Sequence, residues 1–226
     1  MKIAVLGTGT VGRTIAGKLS ELGHEVVIGT RDPEATLART ESDAMGTLPY
    51  SAWQAEHPAA RLAPFAEAAS FGELVVVATN GSGSLDALTQ AGEANLGGKV
   101  LLDVSNPLDF SRGFPPSLFV KDTDSLAEQI QHAFPAAHVV KSLNTMTAAV
   151  MVDPGLAGGG DHSVFVSGDD PGAKQTVVSL LEDFGHTDVI DLGDLSTARG
   201  AEMYLPLWLR LMGAVGTPFF NIKVVR

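Results

Sequence analysis

The chain has no cysteine among its 226 residues. Disulfides, cysteine-ligated zinc, iron–sulfur clusters and thiol nucleophiles are all excluded by that absence. Basic residues are scarce: 15 Lys and Arg stand against 26 Asp and Glu, a formal charge of −11. With no basic cluster to track a phosphate backbone, nucleic acid is not an expected partner, and an acidic surface does not suit anionic lipid. Long hydrophobic runs are missing too. The most apolar stretch, Tyr204 to Val225, is interrupted by Pro206, Arg210, Gly213, Gly216 and Pro218, so it falls short of the ~20 apolar residues that a membrane helix needs. A core strand stands where a charged leader would be, and the expectation is a soluble, cytoplasmic protein. The six histidines (His24, His57, His132, His138, His162 and His186) show no pairing on one helix face, so no metal is expected. Asp161-His162 is the nearest approach to an acid–base pair.

What is present begins at residue 2. Lys2-Ile3-Ala4-Val5-Leu6 reads as a strand buried on both faces of a parallel sheet. Gly7-Thr8-Gly9-Thr10-Val11-Gly12 follows at once, and a helix from about Val11 to Leu22 comes next. In this setting Gly7 permits a tight turn, Gly9 lets backbone amides approach a pyrophosphate, and Gly12 lets helix and strand pack closely. The helix turns its positive end to the anion. The second strand, Glu25 to Ile28, ends in Gly29-Thr30-Arg31 rather than in a carboxylate. An acid there would bind the ribose hydroxyls of NAD, whereas Thr30 and Arg31 suit the 2′-phosphate of NADP. Arg39 is a second candidate for that phosphate, and Asp32 is expected to turn away and cap the next helix ahead of Pro33.

Strands and helices alternate to the end of the chain, the pattern of an α/β protein with a Rossmann, doubly wound, mainly parallel sheet. The irregular stretch from Asp32 to Pro64 carries helical pieces near residues 34–42 and 51–56, with Tyr50 and Trp53 expected to pin it to the core or, as the lesser alternative, to cover a substrate. Three later strands end in Thr79-Asn80, Ser105-Asn106-Pro107 and Asn144-Thr145. In an open parallel sheet these amides and hydroxyls converge beyond the strand tips, where a nicotinamide lies. That puts Thr79, Asn80, Asn106, Asn144 and Thr145 near the nicotinamide. Lys141, just before that site, is expected to pair with a sheet-edge partner or a carbonyl. Gly155 to Gly160 reads as a flexible loop. A long final helix is expected from about Ser196 to Met212, capped by Ser196 and kinked at Pro206. Its mixed face suits closure over a ligand or packing on a second subunit. The division is residues 1–194 as a dinucleotide-binding domain and 195–226 as a small helical C-terminal part.

The opening fingerprint, Gly29-Thr30-Arg31, Lys141-Ser142-Leu143-Asn144-Thr145, Ser167-Gly168-Asp169-Asp170 and Gly193-Asp194-Leu195-Ser196-Thr197-Ala198-Arg199 occur in that order. The succession resembles the NADPH-dependent coenzyme F420 (deazaflavin) reductases, the F420-dependent NADP oxidoreductases, over nearly the whole chain. The N-terminal part also resembles the reductase domain of the six-transmembrane ferric reductases. The resemblance implies a homodimer in which a Rossmann domain holds NADP and the C-terminal part shapes a deazaflavin cleft. Hydride then passes directly between two stacked rings, with no side chain required as proton donor. By matching position, Thr8 to Gly12 cradle the pyrophosphate, Thr30 and Arg31 hold the 2′-phosphate, Thr79 and Asn80 border the nicotinamide ribose, and Asn144 and Thr145 face the second substrate. Archaeal members differ at Asn144 and around Asn80. The hydride acceptor therefore stays open among the deazaflavin, a free flavin, a ferric substrate and a small carbonyl compound. A non-catalytic NADPH sensor is the alternative from another class.

Overall fold

Apolar strands buried on both faces organise the chain into three layers. The computed structural model describes residues 1–42 and 46–226. It begins with β1 (Lys2–Leu6), α1 (Thr10–Glu21), β2 (Glu25–Thr30), α2 (Pro33–Ala38), α3 (Tyr50–Glu56) and β3 (Arg61–Pro64). Then come α4 (Phe65–Phe71), β4 (Leu74–Val77), α5 (Ser84–Ala91), α6 (Glu93–Leu96) and β5 (Val100–Asp103). A small hairpin of β6 (Leu108–Asp109) and β7 (Ser117–Leu118) precedes α7 (Leu126–Ala133), β8 (His138–Ser142) and α8 (Ala148–Val152). The chain closes with β9 (Ser163–Gly168), α9 (Pro171–Asp183), β10 (Asp188–Gly193), α10 (Ala198–Met203) and α11 (Leu205–Val215).

The main sheet has eight strands in the order β10-β9-β8-β5-β4-β1-β2-β3. Its neighbours are parallel except β8 and β9, so the doubly wound, mainly parallel architecture is the one observed. Period-2 alternation divides the core. Ile3 and Val5 join Ile15, Leu19 and Val76 on one face, while Ala4 and Leu6 join Val75, Leu88 and Leu101 on the other. From β1 the chain runs outward to β2 and β3, then returns to the far side at β4, which opens the ligand crevice of such sheets between the tips of β1 and β4. The tips are close: a Cβ on Gly7, whose φ is +126°, would stand 2.5 Å from the Ala78 carbonyl oxygen.

Local chemistry explains the element boundaries. The Asp32 carboxylate accepts from Ala35 N at 2.9 Å with Pro33 at the first helical position, the cap expected there. Ser125 Oγ accepts from Glu128 N at 3.1 Å to start α7, and Asp170 does the same for α9 through Ala173 N. The first helix of the 32–64 stretch stops at Ala38, short of residue 42, and residues 43–45 lie outside the described residues. Tyr50 is 2% exposed in the core beside Trp53, whose ring stacks on His57, so both aromatics do pin this stretch.

Beyond residue 154 the structure refines three expectations, and the interruption expected at Pro206 is present. The single helix is two, α10 and α11, parted at Tyr204, because Pro206 has no N–H for the preceding turn. Asp194 accepts from Ser196 N at 3.0 Å and caps the 3-10 turn Leu195–Thr197 that leads into α10, so Ser196 is the capped residue. The glycine run folds into two 3-10 turns, with Gly158, Gly159 and Gly160 at φ of 56°, 64° and 88°, values that L side chains avoid.

The last residues lie along β9. Ser163 N donates to Ile222 O and Val224 N to Ser163 Oγ, each at 2.9 Å, while Lys223 and Arg226 both pair with Asp188. The Ser163 hydroxyl, then Lys223, hold the Asp188 carboxyl down at about 2. A depressed carboxylate contributes docking strength that is present above its ordinary value of 3.8 and fades as pH falls through about 2. Hydrogen exchange should therefore show the Ser163 and Val224 amides losing protection between those values while the β4 amides stay protected. Equal loss at both would contradict this anchoring.

Candidate functional site: an open glycine cradle at the β1–β4 crevice

Gly9 has an ordinary φ of −76°, and a Cβ built on it would meet nothing within 4 Å. Neither backbone conformation nor protein packing requires glycine there. Its missing side chain instead keeps open a cavity of about 330 Å³ lined by Gly7 to Gly9, Gly29 to Arg31, Thr79, Asn80 and Gly83. An adjoining cavity of about 620 Å³ shares Thr8, Gly9, Thr36 and Arg39 with it. Gly9 is also the N-cap of α1 and provides no side-chain cap. The first-turn amides of Thr10, Val11 and Gly12 have no acceptor within the helix, which is the donor set an anion takes. Gly12 is fixed by packing, since a Cβ there would lie 2.1 Å from Gly7 O. Arg13, which sequence reasoning passed over, donates to Thr8 O at 2.7 Å and to Leu48 O at 2.5 Å, and so ties the cradle to the loop after α2. Thr10 Oγ1 meets Thr47 Oγ1 at 2.9 Å across the same gap.

At the tip of β2 the two predicted phosphate residues behave differently. Thr36 Oγ1 donates to Asp32 O at 2.7 Å, so the 2.9 Å contact between Thr30 and Thr36 uses the single Thr30 proton. Thr30 is 8% exposed and orders the loop. Arg31 and Arg39 line the same cavity. Arg31 Nη2 lies 2.9 Å from Asp86 Oδ2 in an exposed ion pair.

The other strand tips meet as pairs. Thr79 Oγ1 lies 2.9 Å from Ser84 Oγ, while Asn80 is exposed at the rim and caps its own turn through Ser82 N. Gly81 abuts the β5 tip so closely that a Cβ would sit 2.0 Å from Asn106 O. Asn106 and Asn144 exchange two hydrogen bonds of 2.9 Å. Asn144 Nδ2 also donates to Ala201 O at 3.1 Å, and Asn144 and Thr145 are each 2% exposed. The Asn144 amide is thus turned to the protein, not toward a second substrate as the resemblance implies.

Next to these residues lies a charge cluster that the sequence did not reveal. Lys141 Nζ is 2.8 Å from Asp103 Oδ2, 2.8 Å from Glu202 Oε1 and 2.6 Å from Ser105 O. All three side chains are at most 2% exposed. Burial works to lower the Lys141 pKa, but the Asp103 and Glu202 carboxylates outweigh it and hold the ammonium above its ordinary value. Glu202 also accepts from Leu126 N and Ala127 N at the start of α7. Arg199 pairs with Glu128 one turn on, so α10 is fastened to strand tips and helix start together.

A doubly wound sheet with an unfilled glycine cradle, free helix-terminal amides and arginines at the second strand tip defines a dinucleotide-binding protein of the Rossmann class. The sequence model of the coenzyme F420-dependent NADP oxidoreductases matches residues 2–107. A crystal structure from Arthrobacter sp. FB24, assigned as an F420-dependent NADP-reductase, is 64% identical with a TM-score of 0.97 over 100% of both chains. The F420-dependent NADP reductase of Methanothermobacter marburgensis is 29% identical over 93% of this chain and 92% of its own length. Metalloreductase STEAP3 of Rattus norvegicus is 32% identical over 92% of this chain, which spans only 38% of that relative. The chain belongs to the F420-dependent NADP oxidoreductase family. No helix among the described residues is long and apolar enough to cross a membrane.

Proposed function

We propose that this chain is a cytoplasmic oxidoreductase that transfers hydride between NADP(H) and the deazaflavin coenzyme F420. The observation that carries the reading is the Gly9 cradle, open for no internal reason, with Arg31 and Arg39 lining the same groove. Family membership supports the enzyme over a non-catalytic sensor. In this reading the amides from Thr8 to Gly12 hold the pyrophosphate, Arg31 and Arg39 take the 2′-phosphate, and Thr79 and Asn80 border the nicotinamide ribose. The Asn106–Asn144 pair and Thr145 support the crevice floor, and residues 195–226 shape the acceptor cleft. The two ring systems supply the redox chemistry; the protein aligns them and excludes water. NADPH oxidation should run at least ~100-fold faster in kcat/KM with F420 than with riboflavin phosphate, a ferric chelate or a small carbonyl compound. Equal rates, or a preference for one of the others, would move the acceptor assignment.

The homodimer rests on α11. Its 11 residues are apolar on nearly all sides, yet only Leu205 and Trp208 are buried, while Leu207 and Val215 are more than half exposed. Such a helix seeks cover from another surface, and a second copy fits the family reading. Leu207→Glu is expected to halve the molar mass seen by light scattering; an unchanged mass would contradict pairing through α11.

A further inference from the structure

Asp86 stands in the first turn of α5, on the opposite side of the groove from the β2 tip. Its Oδ2 lies 2.9 Å from Arg31 Nη2, so the pair bridges the mouth of the cavity that Arg31, Gly83 and Ala87 line. Gln90, one turn further along α5, donates to the same oxygen at 2.8 Å and aims the carboxylate at Arg31. The two side chains are 71% and 56% exposed, and an ion pair in that setting adds little to stability. An acid in a first helical turn has a use of its own against the helix dipole. That use does not require the carboxylate to reach across the groove, or Gln90 to orient it.

We propose that Asp86 stands in for the 2′-phosphate: it neutralises Arg31 in the free protein, competes with the incoming phosphate, and re-pairs with Arg31 as the dinucleotide leaves. The inference rests on Arg31 reading the 2′-phosphate. A guanidinium offers five N–H donors, so the phosphate engages Arg31 either by displacing Asp86 or from another edge with the carboxylate still close. Both routes place like charges together and weaken binding of the phosphorylated dinucleotide alone. The Asp86 carboxylate thereby trades affinity for faster release, and it does so at an exposed site where salt screens the effect.

The test is Asp86→Asn, a surface change that keeps size and leaves the cradle untouched. Titration of intrinsic NADPH fluorescence at low salt should give a Kd ~3–10-fold tighter than wild type, with a dissociation rate slower by a similar factor. NADH affinity should stay within ~2-fold, and the NADPH gain should fade near ~0.5 M salt. An unchanged or weaker NADPH Kd overturns the proposal. So does equal tightening for NADH, which would make Asp86 a general electrostatic brake, and so does equal weakening of both, which would make it an adenosine contact. Wild-type protein that binds NADPH no better than NADH would instead refute the Arg31 reading, and this proposal with it.

Discussion

Lys141→Met is expected to destabilise the protein by about 3–5 kcal/mol, because it leaves two carboxylates buried with no cation between them. Asp103 and Glu202 are held in place by the sheet and by the α7 amides, so neither has a route to solvent. For a chain of this length the melting temperature should fall by about 6–20 °C. The pH dependence follows from the sign of the shift. Lys141 titrates above its ordinary 10.5, so its contribution is complete below that value and is lost as pH rises through the folded-state one. The gap between wild type and Lys141→Met should therefore be wide at neutral pH and narrow only in strong alkali. Replacing all three members by apolar residues of similar volume should recover only part of the loss: the ion cluster is replaced rather than broken, but Leu126 N and Ala127 N lose the Glu202 carboxylate that they donate to. A single-variant loss under about 1 kcal/mol would mean that the cluster is hydrated or mobile in solution.

Gly9→Val should abolish binding of NADPH and NADH alike while lowering the melting temperature by no more than ~4 °C, the cost of a poorer N-cap. The combination is diagnostic because nothing in the protein lies within 4 Å of the added Cβ; only a ligand contests that space. Gly12→Ala makes the contrast, since its Cβ would collide with Gly7 O and the fold itself should suffer. Arg31→Ala should separate the two dinucleotides, weakening NADPH by ~10–100-fold and NADH by less than ~3-fold, as loss of charge-assisted bonds to one phosphate would. Retained NADPH affinity in Gly9→Val would contradict the cradle. Parallel losses in Arg31→Ala would contradict the phosphate assignment.

The parts legible in the sequence are those whose cause is local. Continuous apolar strands, the glycines after β1, and the Asp32 cap before Pro33 each declare themselves within a few residues. The β6–β7 hairpin has two residues per strand and α8 has five, too short for any period to appear. The break at Tyr204 was foreshadowed by Pro206, but the capping role of Asp194 was hidden behind Ser196, an equally good cap by type. The neighbour of Thr30 has no local signature: only the fold brings the Thr36 hydroxyl to 2.9 Å from it. Lys141 was recognised as a residue in need of a partner, yet Asp103 is 38 positions away and Glu202 is farther still. Long-range charge pairing leaves no periodic trace; the nearest signal was a lone glutamate in the otherwise apolar turn Ala201-Glu202-Met203.

Hydride that passes directly from nicotinamide C4 to the deazaflavin carries its isotope with it. Purified protein would be given NADPH deuterated at the transferred position of C4 together with F420 in ordinary water, and the reduced deazaflavin would be analysed by mass spectrometry and NMR. Stoichiometric deuterium is expected at C5 of the product, on one face of the ring, with none released to solvent. Deuterium appearing in water, or no reduction of F420 while the protein binds NADPH tightly, would contradict direct transfer.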